Sequence, residues 1–108
     1  METKNIFSDI PDAFKDELID ILQQNEAFRL ERIVSSGQVT PEGFWYDQEW
    51  NEWVLLLSGS ASLKFEDEES EVFLYPGDYL FIPAHRKHRV TSTDRHNKTV
   101  WLALHCRA

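Results

Sequence analysis

Two hydrophobic periods divide the chain. Phe14, Leu18, Ile21 and Leu22 recur at i, i+4, i+7 and i+8, which makes one apolar stripe on a helical repeat. Pro11 suits the first turn of a helix, and Asp12 and Asp16 place negative charge near its positive dipole end. This spacing predicts a helix over 11–24 that packs on the body of the domain and carries no chemistry.

From Ala27 onward the period becomes strand-like. Phe28, Leu30 and Ile33 open a strand that ends at Ser35-Ser36-Gly37. Trp53 to Leu57 is a continuous apolar run closed by Ser58-Gly59, the pattern of a strand covered on both faces. Ala61, Leu63 and Phe65 then alternate with Ser62, Lys64 and Glu66, as a half-buried strand does. The acidic cluster Asp67-Glu68-Glu69 predicts a solvated hairpin loop, with Val72 to Tyr75 returning from it. Pro76-Gly77-Asp78 is a tight-turn signal, and Tyr79 to Ile82 is a short strand stopped by Pro83. Val90 to Thr93 and Thr99 to Cys106 complete the series. Short strands spaced by turns, without crossover helices, predict an antiparallel sandwich or barrel.

A length of 108 residues predicts one domain, with 1–26 as an N-terminal segment and 27–108 as the β-barrel. Apolar residues at 42% and aromatics at 13% suffice for a compact core. With 11 Lys+Arg against 19 Asp+Glu the net charge is −8, which disfavours nucleic acid and anionic membrane as partners. No apolar run approaches the ~20 residues that span a bilayer. The N-terminus shows no apolar signal-peptide core, and the single Cys106 forms no internal disulfide. Together these predict a cytoplasmic protein.

One stretch carries a recognisable pattern. Glu52 is followed by six residues and Gly59. Further on, Gly77 is followed by five residues, Pro83, and then His88 five positions later. These halves resemble, in order and separation, the two signature motifs of the cupin superfamily, over about Phe28 to Leu104. The resemblance implies an all-β fold, a double-stranded β-helix or jelly-roll barrel, here with the short N-terminal α-helix in addition. It also implies a divalent metal ion (Zn, Fe, Mn or Ni) inside one end of the barrel. The motif glutamate maps to Glu52 and the second-motif histidine to His88. The two first-motif histidines have no counterpart: they fall on Tyr46 and Gln48 in the shorter family spacing, and on Trp45 and Asp47 in the longer. His85 stands where the second motif has glycine, and Ser92 where it has asparagine.

The candidate metal donors are therefore Glu52 and His88, with Gln48 or Asp47 beside them. Gln48 shares the face of Glu52 on an extended strand. Asp47 needs one residue of bulge but offers a charge that an amide lacks. Tyr46, Val54, Leu56, Phe81 and His85 are the candidate ligand-pocket residues. Arg86, Lys87 or Arg89 could steer a small carboxylate or phosphate to the barrel mouth. Trp45, Tyr46, Trp50 and Trp53 could stack on a ring or pack in the core. His96 is expected in a solvated turn, while strand parity leaves His105 open to either face, and Cys106 is read as incidental.

The resemblance implies a small-molecule-binding protein and a metal-dependent enzyme of dioxygenase, isomerase or decarboxylase type. The missing first-motif histidines support the alternative, a non-catalytic ligand sensor with a degenerate metal site. Small cupins pair, and Trp53, Leu55 and Leu57 alternate with Glu52, Val54 and Leu56, so one set faces outward and predicts a homodimer interface.

Overall fold

A computed structural model describes residues 1–107. Eight strands follow one another: β1 (Leu18–Gln24), β2 (Phe28–Ser35), β3 (Asn51–Ser58), β4 (Ala61–Phe65), β5 (Val72–Leu74), β6 (Tyr79–Ile82), β7 (His88–Thr93) and β8 (Thr99–Cys106). They form a five-stranded sheet ordered β1-β2-β8-β3-β6 and a three-stranded sheet ordered β5-β4-β7, all pairs antiparallel. Val54, Leu56, Ala61, Leu63, Phe65, Leu74, Ile82 and Trp101 form the core. No helix among the described residues is long and apolar enough to cross a membrane.

The expected helix over 11–24 does not form. Its second half is β1, an edge strand paired to β2, and its first half runs as irregular chain. Tertiary pairing decides this, because β2 would otherwise present a bare edge of unpaired N–H and C=O groups. Ile19 and Ile21 are β-branched residues at alternate positions, which suit a strand. The shift in pairing between Ile21 and Gln23 leaves Leu22 as the bulge that absorbs the break in alternation. Asn25 closes the turn into β2, its Oδ1 accepting the N–H groups of Ala27 (2.7 Å) and Phe28 (3.1 Å). The segment before β1 is tied to the outer face of β2 by Arg32, which donates to the carbonyls of Ile6 (3.0 Å) and Ser8 (2.5 Å) and pairs with Asp20.

Alternation on β3 sets the geometry of the barrel. Glu52, Val54 and Leu56 are buried, and Trp53, Leu55 and Leu57 are half-buried on the other face. The Pro76-Gly77 turn forms as its residues dictate, with Gly77 at φ +95° and Asp78 N–H donating to the Tyr75 carbonyl at 2.9 Å. Residues 38–48 have no regular ladder but run beside β7. Thr40 exchanges bonds with Val90, and Tyr46 pairs with His88 through both backbone bonds (2.8 and 3.2 Å). This run closes the mouth of the barrel next to His88.

Candidate functional site

A cavity of about 230 Å³ opens between the sheets, small enough to select a compact ligand. Cross-strand register builds one wall. Glu52 on β3 stands opposite His105 on β8, which stands opposite Arg29 on β2. One row further in, Val54, Ala103 and Glu31 align in the same way. Directly opposed residues share a face, so Glu52, His105, Arg29 and Glu31 all reach one interior. Ile82 faces Glu52 from β6, and Leu63, Val90 and His88 complete the wall from the smaller sheet.

His88, at the start of β7, is buried between the rings of Phe65 and Tyr46. Its Nδ1 lies 2.9 Å from the Arg86 carbonyl, so that nitrogen carries a proton and Nε2 is turned to the cavity. Nε2 lies 3.8 Å from Glu52 Oε1. Burial holds the Glu52 carboxyl above the ordinary carboxylate range, and the negative charge of Glu31 adds to this against the pull of His105, His88 and Gln48. Glu31 moves the other way. The hydrogen bond from His105 (2.9 Å) outweighs burial, and Arg29 at 3.0 Å adds to it.

Glu17 enters from the β1 edge of the same sheet. It precedes β1, and its Oε2 accepts the hydroxyl proton of Ser35. Ser35 Oγ in turn accepts the indole N–H of Trp101 at 3.1 Å. Burial raises the Glu17 carboxyl, opposed by Ser35 and reinforced by Glu52. Burial and the charge of Glu17 likewise raise the Tyr46 phenol.

The residues singled out from sequence divide between the two faces. Glu52, His88, Gln48, Tyr46 and Val54 line the cavity. Leu56 is fully buried in the core beneath it. Phe81 pairs with Trp53 on the outer face and is 55% exposed, so Ile82 takes the inner position. Asp47 and His85 meet outside the cavity, Oδ1 to Nδ1 at 2.7 Å, with both side chains solvent-accessible. His85 adopts a left-handed φ of +64°, the conformation that explains glycine at this place in the motif. Arg86 pairs with Asp67 and Glu68, Lys87 with Glu66, and Arg89 donates to the Thr40 carbonyl, so none of the three lines the cavity. Glu17, Arg29, Glu31, Trp101 and His105 are additions that sequence reasoning missed or left open.

The metal implied by the motifs can be tested against these donors. A transition metal needs three or four donors converging on a point. His88 Nε2 and Glu52 converge, but His105 Nε2 is engaged by Glu31 and Asp47 turns away to His85. Among the described residues no group of three or more His, Cys, Asp or Glu is placed to hold a metal ion. The donor set does not fit the metal.

Two antiparallel sheets closed around an internal cavity, with a Glu and a His from separated motifs inside one end, define a small jelly-roll barrel of the ligand-binding class. The sequence profile of the Cupin domain family matches residues 32–105, and the chain belongs to that family. Over the full length of both chains it is 44% identical to a solved protein of Ralstonia eutropha JMP134, provisionally named a mannose-6-phosphate isomerase, with a TM-score of 0.96. A cupin superfamily protein of Desulfitobacterium hafniense DCB-2 superposes with a TM-score of 0.75 at 19% identity, covering 92% of this chain and 84% of that one. An RmlC-like cupin of Methanocaldococcus jannaschii, with a double-stranded β-helix fold, gives 0.70 at 16% identity over 92% and 87%. These last two share the fold. No curated protein matches the chain.

Proposed function

We propose that this chain is a small-molecule-binding cupin of the isomerase type, acting by proton transfer on a small polyhydroxylated carbonyl compound. The observation that carries the reading is the buried pair of Glu52 and His88, 3.8 Å apart on the cavity wall. A carboxyl that burial raises above its ordinary range is a stronger base than a free one, as a general acid–base needs. The name given to the Ralstonia protein supports an isomerase type.

In such a reaction Glu52 takes a proton from the carbon beside a carbonyl while an acid protonates the carbonyl oxygen. Glu52 then returns its proton to the neighbouring carbon while the group that protonated the carbonyl oxygen recovers a proton from the other hydroxyl, so the carbonyl moves by one carbon with no net gain or loss of atoms. Within this chain, His88 Nε2 is the partner that can hold or relay the second proton. A metal-dependent variant would draw on Glu52, His88 and Gln48, and the donors do not support it.

The test combines turnover with metal content. Untagged protein is assayed for aldose–ketose interconversion before and after dialysis against a chelator, beside Glu52→Gln. Turnover that survives chelation and disappears in the variant is expected. Turnover that appears only with added divalent metal would overturn the metal-free step. Ligand binding without turnover would assign the chain to the sensor class. In the same reading the protein is a cytoplasmic homodimer, which its lone thiol and its apolar outer sheet face support.

A further inference from the structure

The charge balance inside the cavity bears on what kind of ligand it takes. Three carboxylates line it, Glu17, Glu31 and Glu52. The one permanent cation in the lining is Arg29, and it lies 3.0 Å from Glu31. That contact, together with the bond from His105, leaves Glu31 compensated. Glu17 and Glu52 have no Lys or Arg partner among the described residues, and Arg86, Lys87 and Arg89 are engaged away from the cavity lining. Phosphate esters are normally held by Arg or Lys, a helix N-terminus or a nest of backbone N–H groups. Brought into this cavity, a doubly charged phosphate would face two carboxyl groups with no Lys or Arg beside them in a low-dielectric setting.

Glu17 has the marks of a group placed to meet a ligand. It is fixed by Ser35, at the far end of β2 from Arg29, and lines the same cavity as Glu52. Ser35 occupies Oε2, while Oε1 accepts no hydrogen bond from the described residues. The indole of Trp101 and the phenol of Tyr46 lie along the same cavity and offer flat apolar faces beside these acceptors. Carboxylate oxygens that accept hydroxyl protons next to aromatic faces suit a polyol ring.

We propose that Glu17 is a second ligand-binding carboxylate, reaching the cavity from the β1 edge of the sheet that carries Glu52, and that the ligand is an uncharged, hydroxyl-rich molecule of monosaccharide size, not its phosphate ester. This rests on the isomerase-type reading of the same cavity and narrows its substrate class.

The experiment is a thermal-shift and calorimetric titration with the D-aldohexoses, the D-ketohexoses and their 6-phosphates, on wild type, Glu17→Gln, Glu17→Asp and Glu52→Gln. Gln at position 17 keeps an acceptor for Ser35, and an unchanged far-ultraviolet spectrum checks the fold. At least one free sugar is expected to bind wild type more tightly than its 6-phosphate. Glu17→Gln should weaken that sugar on the order of tenfold, with partial recovery in Glu17→Asp. Tighter binding of the 6-phosphate, or no binding of any free sugar, overturns the ligand class. Binding unaffected by Glu17→Gln but lost in Glu52→Gln removes Glu17 from the site and leaves the cavity reading standing. Binding unaffected by either variant places the ligand elsewhere and takes the cavity reading with it.

Discussion

His105 Nε2 lies 2.9 Å from Glu31 Oε1, joining β8 to β2 inside the cavity wall. This bond lowers the Glu31 carboxyl below its ordinary value near 4.5, so its contribution to stability is present above that value and lost as pH falls through the folded one. Glu52 and Glu17 have the opposite sign. Their folded carboxyls are raised, so folding is favoured at lower pH and loses stability as pH rises through the raised values. Maximal stability is therefore expected in mildly acid solution, with a decline on both sides. Melting temperatures measured across pH check this. Glu52→Gln should raise the melting temperature above neutrality by about 4 °C or more, and Glu31→Gln should remove the acid arm. A flat profile would reject both assignments.

His88→Ala should act on chemistry more than on fold. The imidazole is buried between Phe65 and Tyr46, so its removal costs about 1–3 kcal/mol, read from a urea midpoint. Turnover should fall on the order of 10²–10⁴-fold, since the ring nitrogen facing Glu52 is lost. Wild-type turnover in this variant would show that Glu52 works without it.

What the sequence made legible follows from local signals. The alternation in β3 and β4, the Pro76-Gly77 turn and the spaced Glu52 and His88 depend on residues near one another in the chain. The apolar stripe over 11–24 was misleading because Phe14, Leu18, Ile21 and Leu22 fit a helical period while Ile19 and Ile21 also alternate as an edge strand does, and the choice lies with the free edge of β2. Arg29, Glu31 and His105 escaped because their common face depends on the register of β2 with β8, strands far apart in sequence. One signal was available: His105 has the parity of Trp101 and Ala103, a large aromatic and a small residue that read as interior. Glu17 could not be placed at all, since it reaches the cavity only through the strand that the periodicity disguised.

Gly59 makes a steep test of the β3–β4 turn. Its φ is +80°, and a Cβ there would come 2.3 Å from Thr99 Oγ1, 2.6 Å from Thr99 Cα and 2.8 Å from the Lys98 carbonyl oxygen. Backbone atoms cannot yield as a flexible side chain does. Gly59→Ala combines overpacking with a strained dihedral and should cost about 3 kcal/mol or more. Chemical denaturation measures it, and a cost below about 1 kcal/mol, the usual size of a point substitution, would mean the turn has an alternative conformation.

The outer face of the larger sheet argues for a second copy of the chain. Trp53, Leu55 and Leu57 on β3 and Leu102 and Leu104 on β8 are only half-buried, while Tyr79 and Phe81 on β6 are 65% and 55% exposed. The Trp53 and Tyr79 rings already pack together at a tilt, with centroids 5.6 Å apart. The N-terminal segment is fastened over Arg32, at the β1–β2 end of that sheet, and these side chains lie on the strands beyond. Contiguous apolar patches of several hundred Å² on a small domain mark interfaces, and a twofold arrangement would bury this one against itself. Light scattering should give roughly twice the 12.7 kDa of one chain. Phe81→Glu places a charge on the exposed β6 side of the patch, against Trp53, and should shift the mass to a single chain, with the cavity on the opposite face of the strand unaffected. Wild-type protein at the mass of one chain would leave this face to another partner and reject the homodimer.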